Sequence, residues 1–151
     1  MPLKQPRTWI LVADSARARA VAWLSRDQPL HQVEGFDMRF HHQQAHDMMS
    51  ERPGRAHESH GTTRHAIEPR MDPVRRAEHR FAESVAQALD DHLARKEFDR
   101  FVLVAGPTML GDLRAAFSTG LLAIVHGTID KNLTHLTNTQ LKDHLLAADM
   151  I

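Results

Sequence analysis

Apolar residues in this chain fall into short, separate runs. Trp9-Ile10-Leu11-Val12-Ala13 is a continuous aromatic and β-branched stretch closed by Asp14-Ser15, the pattern of a buried strand followed by a turn. Ala18 to Leu24 alternates, with Ala18, Ala20, Ala22 and Leu24 on one side and Arg19, Val21 and Trp23 on the other, which favours a second strand. Leu30 to Phe36 predicts a third, and the short connections suit an antiparallel meander. Between residues 37 and 71 the periodicity disappears. His, Gln, Arg, Gly, Ser and Thr dominate there, predicting a long, polar, mobile loop of the kind on which function concentrates.

Order returns at Asp72-Pro73, an acid able to cap free amides followed by a proline pre-set for the first helical position. Val74, Ala77, Phe81, Val85 and Leu89 then recur at helical spacing, so the helix reaches about Arg95. Phe98 to Ala105 reads as a strand broken at Gly106-Pro107. A helix follows from about Thr108, its cap, to Phe117. Leu121 to Val125 predicts a fifth strand, Gly127 a break, and Asn138 to Ala148 a last helix with Leu141 and Leu145 inward. Strands first, then strands alternating with helices, predict an α/β fold. It is a mixed sheet of about five strands with helices packed on it, in a single domain over 1–151.

Composition narrows the function classes. With 42% hydrophobic and 25% charged residues, the 151-residue chain suits one packed domain. Lys plus Arg number 19 and so do Asp plus Glu, so no global field draws the molecule to nucleic acid or an anionic membrane, and any such binding is local. The absence of Cys removes disulfides, thiolate nucleophiles and Cys-type zinc sites, and fits a reducing, cytoplasmic setting. Residues 1–7 do not form a signal-peptide pattern, and the apolar runs fall short of the ~20 residues that cross a bilayer, so no membrane partner is expected.

Three groups of residues carry candidate chemistry. Arg52, Arg55, Arg64, Arg70, Arg75 and Arg76 intersperse with His57, His60 and His65, and guanidinium groups bind phosphate with paired donors. Glu51, Glu58, Glu68 and Asp72 dilute that charge, so internal ion pairing in a solvated loop is the plainer alternative. The lack of Tyr and of interleaved Phe or Trp disfavours stacking-based recognition of single strands.

His42 and His46 would share a helix face and suit zinc or nickel, but their spacing matches no established ligand motif, and no cofactor is expected. The third group lies beyond predicted strand ends, where α/β sheets hold ligands: Asp14, Ser15 and Arg17, with Asp130, Lys131 and His135. Acid–base chemistry is conceivable there. Ser15 lacks a Gly-x-Ser-x-Gly elbow, however, and Asp14, Asp130 and Thr134 are residue types that organise turns, with Leu133 and Leu136 packing inward.

Trp9 to Arg19, Arg52-Pro53-Gly54-Arg55, Arg64-His65-Ala66, Phe98 to Ala105 and Ile129 to Leu136, in this order and spacing, resemble the host attachment protein family. That family is similar to the middle domain of archaeal and eukaryotic class 1 peptide-chain release factors. The resemblance implies an RNase H-like fold and a connection to RNA or the ribosome. Where release factors carry a Gly-Gly-Gln loop, this chain reads His60-Gly61-Thr62-Thr63-Arg64-His65. A β-branched Thr is costly where backbone φ must be positive, so termination-type hydrolysis is not expected. The leading expectation is a non-catalytic RNA- or ribosome-associated domain, touching phosphate through Arg52, Arg55, Gly61, Arg64 and His65. The alternatives are a hydrolase of an ester or phosphoester at the strand-end cleft, and an attachment or protein-interaction factor.

Overall fold

The structure is a computed structural model in which residues 5–40 and 72–151 are described. Expectations for Arg52, Arg55, Gly61, Arg64 and His65, and for His42 and His46, lie outside the described residues. The elements are β1 (Thr8–Ala13), β2 (Arg17–Trp23), β3 (His31–Arg39), α1 (Pro73–Ala94), β4 (Arg100–Ala105), α2 (Pro107–Ala116), α3 (Thr119–Ala123), β5 (Val125–Ile129) and α4 (Asn138–Ala147). The sheet order is β3-β2-β1-β4-β5. β1, β2 and β3 pair antiparallel as the expected meander, whereas β4 joins β1, and β5 joins β4, in parallel. This is the expected α/β architecture, an open mixed sheet of five strands with helices packed on it.

β1 occupies the middle of the sheet and every one of its residues is buried, which is why its apolar run is continuous rather than alternating. Its odd and even positions serve different layers. Trp9, Leu11 and Ala13 join Leu103, Ala105, Phe81, Val85, Leu89, Leu113 and Leu121 beneath α1, α2 and α3. Ile10 and Val12 join Val21, Val102, Val104, Leu133, Leu141 and Leu145 beneath α4. Leu89 has no exposed surface; burying such a side chain contributes about 1.5–3 kcal/mol, and Leu89→Ala would cost about 2–5 kcal/mol. Asp72 caps α1 by accepting from Arg75 N at 2.9 Å, with Pro73 as the first helical residue. The helix stops at Ala94, and Lys96 adopts φ 59° just beyond it.

Three expectations are corrected. First, β3 continues past Phe36 to Arg39, so the polar loop does not begin at residue 37. Phe36 is buried and Met38 half-buried against the core, while Asp37 and Arg39 alternate outward from the edge strand. Second, Leu121 to Val125 is not a strand. Ser118 Oγ accepts from Leu121 N at 3.2 Å and starts α3, and the strand begins only at Val125. A short apolar run is compatible with either element. Tertiary packing decides it here by burying Leu121 and leaving Leu122 47% exposed.

Gly127 is accordingly inside β5 rather than at a break. The Met150 thioether fills the space that a side chain at Gly127 would need. Third, α2 starts at Pro107 with Gly106 as its N-cap and no side-chain capping bond, which leaves Thr108 inside the helix instead of capping it.

Candidate functional site

The parallel pairing of β1, β4 and β5 brings their carboxyl ends to one side of the sheet, where Asp14 follows β1. Asp14 Oδ1 accepts from Ala16 N and Arg17 N, both at 2.8 Å, closing the β1–β2 turn. Its Oδ2 accepts from Asn132 Nδ2 at 3.4 Å and from Thr134 Oγ1 at 2.7 Å, the Thr134 hydroxyl standing at the same 2.7 Å from Asn132 Oδ1. Asn132 Oδ1 in turn accepts from Thr134 N at 3.1 Å. Thr134 is buried, and Leu133 beside it packs beneath α4. A carboxylate holding four structural donors acts as a latch between two turns, with little acceptor capacity left for a substrate proton or a water.

The remaining strand-end candidates do not assemble around it. Asp130, Lys131 and His135 are exposed, and among the described residues none is hydrogen-bonded to Asp14 or to one another. Ser15 is half-buried and has no imidazole partner among the described residues. No group of three or more His, Asp or Glu side chains suited to a metal ion occurs among the described residues. No helix among them is long and apolar enough to cross a membrane.

Charge gathers instead where β2 pairs with β3. Arg17 stands opposite Arg39, and Arg19 opposite Asp37. Arg19 is only 5% exposed. It donates from Nη1 to Asn138 Oδ1 at 2.7 Å and from Nη2 to Leu136 O at 3.0 Å, at the start of α4. Burial lowers its pKa, the neighbouring Arg17 charge lowers it further, and Asp37 opposes both. Asp37 Oδ1 stands 3.7 Å from Arg17 Nε and 3.9 Å from Arg39 Nε.

Of this group the strand-end reasoning singles out only Arg17. Asp37 and Arg39 lie within the stretch expected to be loop. The signal that locates them is the alternation Phe36-Asp37-Met38-Arg39, apolar and charged by turns.

A separate ionic cluster joins α1 to α2. Arg75 donates to Asp112 through Nη1 at 3.2 Å and Nη2 at 3.0 Å, and to Glu78 Oε1 at 2.6 Å, while His79 Nε2 lies 3.2 Å from Asp112 Oδ1. The hydrogen bonds that Arg75 donates to Asp112 and Glu78 raise its pKa. Arg75 thus serves as a clamp between helices, although the sequence groups it with the phosphate-binding candidates.

A family model described as "Protein required for attachment to host cells" matches residues 9–145. Comparison with curated proteins gave no match.

Proposed function

The chain belongs to the host attachment family, whose members are described as required for attachment to host cells, and from that premise we propose that it is a non-catalytic RNA-binding domain. Ribosomal RNA is its first candidate partner and the cytoplasm its place of action. What supports RNA as the ligand is the kinship with the middle domain of release factors that the sequence resemblance implies. In this reading Arg52, Arg55, Arg64 and His65 touch backbone phosphates, and Gly61 lets the chain approach closely.

The observation that carries it is the state of Asp14. The acid at the strand ends is committed to Ala16, Arg17, Thr134 and Asn132, which favours binding over hydrolysis at that cleft. Hydrolysis of an ester or phosphoester has less support, because no base beside Ser15 occurs among the described residues.

The test is binding to ribosomes and to single-stranded RNA across a potassium chloride series. The parent should weaken steeply with salt, and an Arg55→Ala/Arg64→Ala variant should bind less tightly, with a log–log slope shallower by about 1–2. Equal affinity and slope for the two proteins would overturn the assignment.

A further inference from the structure

Directly opposed like charges on an antiparallel pair repel, and Arg17 faces Arg39 in that way. Arg19 lies two residues along β2 on the same face, so among the described residues Arg17 and Arg39 flank the one Asp37 carboxylate while the Arg19 charge stands close by. Asp37 does not hydrogen-bond the outer two, since both Nε atoms stand beyond 3.5 Å from its oxygen. Arg17 Nε is a buried nitrogen with no hydrogen-bond partner. Asp14, in the turn that leads into β2, is already held by backbone amides and by Thr134. The outer pair is nevertheless accessible, with Arg17 and Arg39 side chains 37% and 62% exposed, while Arg19 is tied to Asn138 and Leu136.

We propose that Arg17 and Arg39 form a phosphate-binding site on the α4-side face of the β2–β3 edge. Adjacent strands run about 4.8 Å apart, so two guanidinium forks can donate to one phosphate from either side. A phosphate carrying about two negative charges matches the surplus that Asp37 leaves. Both arginines stand on paired strands, which fixes the spacing of their Cα positions before any ligand arrives. An RNA backbone phosphodiester presents two non-bridging oxygens and one negative charge, a phosphomonoester three and about two, so both can accept from the forks and the monoester matches the charge better; the site does not depend on the Arg55 and Arg64 contacts above.

The experiment follows the arginine Nε–Hε resonances of the full-length, nitrogen-15-labelled protein. It is titrated with inorganic phosphate, with ribose 5-phosphate and with an oligouridylate, each against sodium chloride at matched ionic strength. The Arg17 and Arg39 signals should move saturably. An Arg17→Lys/Arg39→Lys variant, which keeps the charge but loses the forks, should bind about tenfold more weakly with an unchanged thermal midpoint.

Arg39→Lys alone, at the more exposed position, gives the same readout if the double variant fails to fold. Tighter binding of the oligonucleotide per phosphate supports a polymer backbone as the ligand, whereas equal binding supports a free phosphomonoester. No shift beyond the chloride control in any arm, or undiminished binding by the folded lysine variants, overturns the site.

Discussion

Thr134 and Asp14, 120 residues apart in sequence, meet in a 2.7 Å hydrogen bond from the Thr134 hydroxyl to the Asp14 carboxylate. This contact fastens the turn after β1 to the segment that leads into α4. It also joins a charged acceptor to a buried donor, which makes it stronger than a neutral surface bond. Asp14→Ala, which strands two turn amides as well, should cost about 2–4 kcal/mol, and Thr134→Val about 1–2 kcal/mol. Urea unfolding of both single variants and the double variant gives the coupling. A value under about 0.5 kcal/mol would deny the latch its role.

Gly127 and Met150 offer a test of packing. The Met150 thioether lies where a Gly127 side chain would stand, but it ends a flexible chain and can move aside. Gly127→Ala should therefore cost about 1 kcal/mol in the parent, the low end for overpacking. In a Met150→Ala background the same change should turn neutral or stabilising by about 0.5 kcal/mol, because alanine loses less backbone entropy in a strand. Thermal midpoints of the four proteins check the reversal of sign.

The Arg75–Asp112 pair should respond unequally to loss of its two members. Removing Arg75 leaves the Asp112 carboxylate 8% exposed with His79 beside it, whereas changing Asp112 leaves Arg75 one-third exposed and still bonded to Glu78. Arg75→Met should cost about 2–4 kcal/mol, less than a deeply buried pair because Arg75 is partly screened. Asp112→Asn, which keeps an acceptor for Arg75, should cost about 1–2 kcal/mol. The reverse ranking in urea unfolding would mean that the carboxylate is better solvated than its surroundings indicate.

Acid should remove a small increment of stability through Glu97. Hydrogen bonds from Arg95 and then His92 hold its pKa below the ordinary 4.5. The folded value is the lower one, so the contribution is fully present above about pH 4.5 and is lost as the pH falls through the folded value. The side chain is 36% exposed, and solvent screening keeps the effect under about 1 kcal/mol. Glu97→Gln should flatten this part of the acid limb in a series of melting curves. Parallel curves for parent and variant would show that the pairing contributes nothing.

Elements whose pattern is long or unbroken are legible without coordinates. β1 is a run buried on both faces, and α1 combines the Asp72-Pro73 start with a stripe through Phe81, Val85 and Leu89. The stretch from Leu121 to Val125 is not, because five apolar residues in a row carry no period; the Ser118 cap and the pairing of β4 with residues after 124 divide it into α3 and β5. The end of β3 is hidden for a different reason. An edge strand facing solvent is rich in charge, so Asp37 and Arg39 look like loop until their partners on β2 are known. Of the candidate site, Asp14 and Arg17 can be marked from the β1–β2 turn, but Arg39, Asn132 and the latching role of Thr134 cannot.

By itself the amino-acid order determines which face of each segment is apolar, and with it the sheet-and-helix class and the family to which the chain belongs. These are properties of spacing within a few residues, where sequence distance and spatial distance still agree. Which polar groups meet is decided only in the tertiary structure. Asp14 reaches Thr134, Arg75 reaches Asp112, and Arg17 faces Arg39 because strand order and helix packing bring distant positions together. The strength of a charge or hydrogen-bond donor depends on that neighbourhood far more than on its place in the chain.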